Sequence, residues 1–242
     1  MDILLSLISR HLRLCSLLTT MLFTGLSFAQ VADLQIVTES SPPYQTMQNG
    51  EVAGTVTNTI KELLKKAGLS ASFNMYPWAR AYQKALNEPN TLIYSIAKTD
   101  NRIGLFHWLM PVTQDHLGLV KLSARKDIQV NEMLDIKQYR FAVQREDISH
   151  KWLLNQGLVE NEHFIACSDI DCSWQLLLNK NVDLIIESPD LIAEMLQQNG
   201  QSADRAEFVQ AIPELAVTGY LATNMKISPD ILTKLKLAVS EL

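Results

Sequence analysis

Two cysteines with four residues between them, Cys167 and Cys172, are the first candidates for chemistry in this 242-residue chain. That spacing suits a small disulfide loop. A CxxC redox pair needs two intervening residues, and a zinc site needs more ligands nearby. Closing so short a loop stabilises a fold by about 2 kcal/mol on the chain-entropy account. The histidines offer less: His107, His116, His150 and His163 form no HExxH or other ligand pair and read as surface or loop residues. There is no GxSxG elbow, no P-loop and no GxGxxG, and nine glycines leave little material for phosphate-cradling loops. Hydrolases and nucleotide enzymes of the familiar kinds are disfavoured, and no metal or cofactor is expected.

The disulfide reading depends on compartment, and the N-terminus speaks to that. Arg10 and Arg13 precede an uncharged, mostly apolar run, Leu14 to Phe28, and Ser27-Phe28-Ala29 places small residues at the −3 and −1 positions of a cleavage after Ala29. The run is shorter than the roughly 20 residues of a spanning helix. Residues 1–29 therefore read as a secretory signal, which would carry away Cys15 and leave Cys167 and Cys172 in an oxidising compartment. Composition agrees with a folded, exported chain: 47% of residues are hydrophobic, 19% charged, and the formal net charge is −5. The acidic balance argues against a nucleic-acid partner, whose phosphates demand a basic face.

Periodicity then places the elements. Asp33 to Thr38 alternates as a strand and breaks at Ser40-Ser41-Pro42-Pro43-Tyr44, and Gln48 to Glu51 reads as a hairpin turn. From Thr55 to Ala67, apolar residues share one helical face, with Lys65 and Lys66 late and Gly68 as the stop. Ala71 to Met75 and Thr91 to Ile96 are strands, with a helix from Trp78 to Leu86 between them. The pattern restarts with an extended Leu117 to Val120, a strand Tyr139 to Val143 and a helix Ile148 to Asn155. A strand Phe164 to Ala166, a helix near Trp174 to Leu178 and a strand Val182 to Ile186 follow. Val217 to Ala222 is a late strand, and Ser228-Pro229 opens a final helix. Strands alternating with helices indicate an α/β fold with largely parallel pairing. Two such units in tandem, without a sequence repeat, imply two lobes.

Five motifs occur in order: SSPPY at 40–44, PWAR at 77–80, TLIYSIAKTDNRIGLFHW at 91–108, FAVQREDISHKWLLNQGL at 141–158 and NKNVDLIIESPD at 179–190. VTGYLATN follows at 217–224. Together they resemble the family 3 periplasmic solute-binding proteins, the group that includes polar amino-acid receptors of ABC transporters. The resemblance covers nearly all of the chain after residue 29. It implies a bilobed Venus-flytrap fold of two α/β lobes joined by two crossing segments. Lobe one would comprise residues 30–115 and 214–242, and lobe two residues 116–213. Relatives continue past the position of Leu242 through another short helical segment.

The resemblance also assigns residues. Arg102 matches the family's arginine for the ligand carboxylate, a task that suits a planar guanidinium fork. Ser95 and Thr99 flank it as donors, while Ala97 stands where the family commonly has a hydroxyl. Tyr44 and Trp78 match aromatic cleft positions, with core packing as the alternative for the Trp. Arg80 either faces the cleft as a second cation or is an exposed helix charge. Asp147 and Ser149 lie in the loop that opens a helix at the cleft and are candidates to cap it, and Ile148 replaces the family's Thr or Ser. Amino-acid receptors place an aspartate for the α-ammonium near residues 187–188. Here Glu187 and Ser188 occupy the site, and strand alternation allows only one of them to face the cleft.

The implied function is a monomeric, non-catalytic periplasmic receptor for a small carboxylate-bearing, amino-acid-like solute, with a locally basic cleft and a membrane permease as partner. Two alternatives stand beside it. One is a sensory protein acting in trans on a membrane partner. The other is an enzyme like the cyclohexadienyl dehydratases, which resemble these receptors, with Glu187 as its acid.

Overall fold

The computed structural model describes residues 34–130 and 133–241. The expected signal segment, residues 1–29, lies outside them.

The chain builds the same unit twice. In the first, β1 (Gln35–Thr38) pairs in parallel with β4 (Ser72–Met75) on one side and β5 (Thr91–Ala97) on the other. In the second, β7 (Phe141–Gln144) pairs in parallel with β8 (Phe164–Cys167) and β9 (Leu184–Glu187). The hairpin β2 (Thr46–Gln48) and β3 (Glu51–Ala53) stands apart. Its tip is the expected turn, with Asn49 and Gly50 both at positive φ, as a tight primed turn requires.

Each triplet carries helices on both faces. Helix α1 (Thr55–Ala67) buries Val56, Ile60, Leu63 and Leu64 and stops at Gly68, whose left-handed backbone returns its N–H to the last turn. It packs with α6 (Pro229–Ser240) against Ile36, Leu92 and Tyr94. Helix α2 (Trp78–Asn87) covers the opposite face through Trp78, Ala81 and Ala85. In the second unit, α3 (Ile148–Asn155) lays Trp152 and Leu153 on Phe141, Val143 and Phe164. Helices α4 (Ile170–Leu178) and α5 (Pro189–Gln198) cover the other side through Trp174, Leu177 and Met195. Each unit thus has its own apolar core, the arrangement of a bilobed α/β protein.

Two long strands join the units. β6 (Phe106–Leu122) and β10 (Ala206–Asn224) run antiparallel along their length, β10 pairing with β5 at one end and β6 with β9 at the other. The sequence predicts only short pieces of them. Pro111 and Pro213 each lie at a register shift of the β6–β10 ladder, where a bulge accommodates a residue that cannot donate. Helix α5 is the other addition. Its Ser188-Pro189-Asp190 opening repeats the Ser228-Pro229-Asp230 signal of α6, with Ser188 as N-cap and proline at the first position. Cys167 and Cys172 are disulfide-bonded, with Cα atoms 5.6 Å apart, tying the end of β8 to the first turn of α4.

One loop sets the edge of the first unit. The carbonyls of Pro43 and Tyr44 accept the N–H groups of Thr55 and Val56, satisfying the start of α1 with the backbone of the SSPPY loop. Gly54 sits between them at φ 116° and ψ 170°, a region open essentially to glycine alone, and a Cβ there would collide with both carbonyls. Gly54→Ala is expected to cost about 1–3 kcal/mol, read as a lower midpoint of urea unfolding. An unchanged midpoint would show that the loop does not hold the helix.

Candidate functional site

The parallel strands of both units end at one place. Glu39 follows β1, Ala97 ends β5, Gln144 ends β7 and Glu187 ends β9, and all four line one cavity of about 100 Å³. Ligand crevices of open α/β sheets lie at such carboxyl ends.

Arg102 is the cation of this cavity and is only 1% exposed. Its Nη1 donates to the Ala97 carbonyl at 3.3 Å, and its Nη2 donates to the Glu146 carbonyl of the second unit at 3.4 Å. The guanidinium carbon lies 5.0 Å from the ring centroids of both Trp78 and Tyr82. The buried Nε has no acceptor among the described residues. Burial lowers the pKa of Arg102, and Asp147 and Glu39 push the other way.

Around this cation stand more carboxylates than the sequence reading anticipates. Burial pushes Glu39 up to about 8, with Asp147 and Glu187 adding repulsion. Glu187 is likewise raised to about 8 by burial, then by Asp147 and Asp115. Asp147 rises to about 6 by burial, although the His150 N–H donates to it. Asp115, also on the cavity wall, is raised by burial. The expectation of a locally basic cleft is therefore overturned. One arginine faces four acids because the strand ends deliver Glu39 and Glu187, and the crossing strand β6 delivers Asp115.

Most of the residues singled out by the resemblance converge here. Tyr44, Trp78, Ser95, Arg102, Asp147, Ser149, Glu187 and Ser188 all line the cavity. Tyr44 Oη donates to Asp190 at 2.9 Å, and Trp78 Nε1 donates to the Glu146 carbonyl at 3.1 Å, so both aromatics bridge the two units. Ser95 donates to the buried Gln45 at 3.1 Å. Asp147 is the N-cap of α3, accepting the His150 N–H at 2.7 Å, and Ser149 is buried in the first turn.

Two expectations change, for Thr99 and for the Glu187–Ser188 pair, and of the two alternatives for Arg80 the exposed helix charge is the one found. Arg80 does not line the cavity; it is exposed and lies 4.6 Å from the centroid of Tyr76, because α2 turns its Trp78–Ala81 face inward and leaves position 80 outside. Thr99 borders an adjoining chamber, and its hydroxyl donates to Asn101. Glu187 and Ser188 both reach the cavity, since the strand ends at Glu187 and alternation no longer binds Ser188, whose hydroxyl caps α5 instead.

Glu39, Gln45, Asp115 and the Glu146 backbone are functional candidates that sequence reasoning misses. Glu39 had a usable signal, as an acid immediately after a strand and before the SSPPY break. Glu146 had none: its φ of 61° aims its carbonyl at Trp78 and Arg102, and that geometry is invisible in the residue type.

No protein-family model and no curated protein sequence matches the chain. Solved structures do. A histidine kinase sensor domain with similarity to periplasmic binding proteins superposes with a TM-score of 0.74 at 14% identity, over 87% of this chain and 90% of that one. The arginine-, lysine-, histidine-binding protein ArtJ from Geobacillus stearothermophilus gives 0.70 at 15% identity, over 86% and 88%. The GluR0 ligand-binding core from Nostoc punctiforme, in complex with L-glutamate, gives 0.68 at 15%, over 86% and 92%. The chain has the type II periplasmic binding fold.

Glu39 and Glu187 hold protons in the folded state up to about pH 8 that an unfolded carboxyl releases near 4.5. The folded state binds more protons across that window, so stability is greatest at its acid end and falls as pH rises. The thermal midpoint of the ligand-free protein is expected to drop between those pH values. The Glu39→Gln, Glu187→Gln double variant should flatten the profile, whereas a midpoint that climbs with pH would contradict the assignment.

Proposed function

We propose that this chain is a periplasmic solute-binding protein that captures a small amino-acid-like solute in the cleft between its lobes and presents it to a membrane permease. Lobe one is residues 30–115 with 214–242, lobe two is residues 116–213, and residues 1–29 direct export. One observation carries the reading. A buried guanidinium with an unused Nε shares a cavity with acids from both units, at the carboxyl ends of their strands. Such a cavity complements a molecule bearing both a carboxylate and an ammonium.

Arg102 takes the carboxylate in this reading. Glu187 and Glu39 take the ammonium, with Glu187 replacing the aspartate of amino-acid receptors. Tyr44 and Trp78 cover the solute, since each already spans the cleft by a hydrogen bond. The amino acids named for ArtJ and the GluR0 core support this ligand class. Among the described residues no helix is long and apolar enough to cross a membrane. A sensory role in trans is the second reading, favoured by the likeness to a histidine kinase sensor domain.

Titration calorimetry of the purified chain with the common amino acids tests the proposal. At least one is expected to bind, and Arg102→Ala should weaken it about a hundredfold, with Arg102→Lys intermediate because charge survives and the fork does not. An ammonium beside Glu39 and Glu187 favours their ionised forms, so binding near pH 7 should release protons and the measured heat should vary with buffer ionisation enthalpy. No binding across the set, or an affinity indifferent to Arg102 in a folded variant, would overturn the reading.

A further inference from the structure

The inner cavity, at about 100 Å³, is small against the 300–1,000 Å³ of ordinary ligand pockets. It does not end at Arg102. A second chamber of about 430 Å³ shares Arg102, Ile148 and Val217 with the first, so Arg102 forms a partition between the two.

The charges of the second chamber are reversed. The inner cavity sets one cation against four acids, whereas the outer one has Arg102 and Lys151 against the single exposed carboxylate of Glu214. Lys151 lies on α3, half-buried, with no hydrogen bond or ion pair from its ammonium among the described residues. Burial and the neighbouring Arg102 both disfavour its charged form. Glu146 and Asp147 favour the charged form of Lys151, and on the chamber wall itself two cations stand against the one carboxylate of Glu214, an excess that suits an acid group. The polar wall fits such a group: Asn101 and Asn155 present amides, and Trp152, 5% exposed, has a buried Nε1 without an acceptor. Leu154, Leu215 and Val217 supply apolar surface for the carbon chain between the charged ends.

We propose that the solute is longer than a single amino acid and carries a second acid group. Its ammonium sits among the inner carboxylates, one carboxylate lies at Arg102, and the other extends into the outer chamber onto Lys151. A dipeptide with an acidic second residue has this charge order. The inference rests on the receptor reading and narrows its ligand class.

Calorimetry with glycyl-glutamate and glycyl-glutamine isolates the outer contact, because the two differ only in the charge of the distal group. The wild-type chain should prefer glycyl-glutamate by about tenfold or more, 1.4 kcal/mol per decade. Lys151→Gln should bring that ratio to about one, and Lys151→Glu should turn the preference toward glycyl-lysine, with unfolding midpoints confirming that both variants fold. Equal wild-type affinities, or a ratio indifferent to position 151, would overturn the proposal. Binding of single amino acids without either dipeptide would sink this inference and leave the receptor reading standing. Failure of every probe would remove both.

Discussion

The molecule depends on one ladder. β6 and β10 are hydrogen-bonded to each other through both units, and each carries one parallel triplet on its outer side. Because the triplets attach at opposite ends of the same pair, the carboxyl ends of both are brought to one crevice. Antiparallel pairing tolerates the proline positions and register shifts that let the pair pass from one unit to the next. The apolar clusters lie mainly within one unit or the other, and Tyr44 packs against one of each.

On that frame the cleft sets up an electrostatic imbalance. Arg102 is taken out of water and held by two carbonyls, while Glu39, Asp115, Asp147 and Glu187 crowd the same space. Desolvation is the leading cause of the upward shift at each of these acids, with repulsion from others of the four adding to it at Glu39 and Glu187. Glu39 and Glu187, pushed up to about 8, are held protonated at neutral pH, and an added cation beside them would favour their ionised forms. In the proposed receptor, recognition and proton balance are therefore the same event. The chain's overall acidity extends into its cleft and is not confined to the exterior.

Much of this was legible where a local rule acts alone. Helix α1 runs over Thr55–Ala67 as its apolar spacing and Gly68 predict, and α3 starts where Asp147 can cap it. Arg102, Tyr44 and Trp78 came from motif position, and they do line the cavity. Other features depend on partners far along the chain. The continuity of β6 is decided by β10, about a hundred residues away, so the sequence alone shows only its Leu117 to Val120 piece. Arg80 and Thr99 lie outside the inner cavity because rotation about a helix axis and the path of a loop are tertiary facts. The pairing of Glu39 with Glu187 joins residues of different units, and neither residue type announces the other.

The Glu146 carbonyl has a consequence for how such a protein changes over generations. It receives both Trp78 and Arg102, and it belongs to the main chain. A lineage can replace the side chain at 146 with any residue that accepts the left-handed region, and the acceptor stays in place. The surrounding carboxylates have no such protection, since each is removed by one substitution. The contact between the units and the character of the cavity wall are thus inherited separately: wall residues can change while the main-chain acceptor persists, unrecorded in any comparison of side chains.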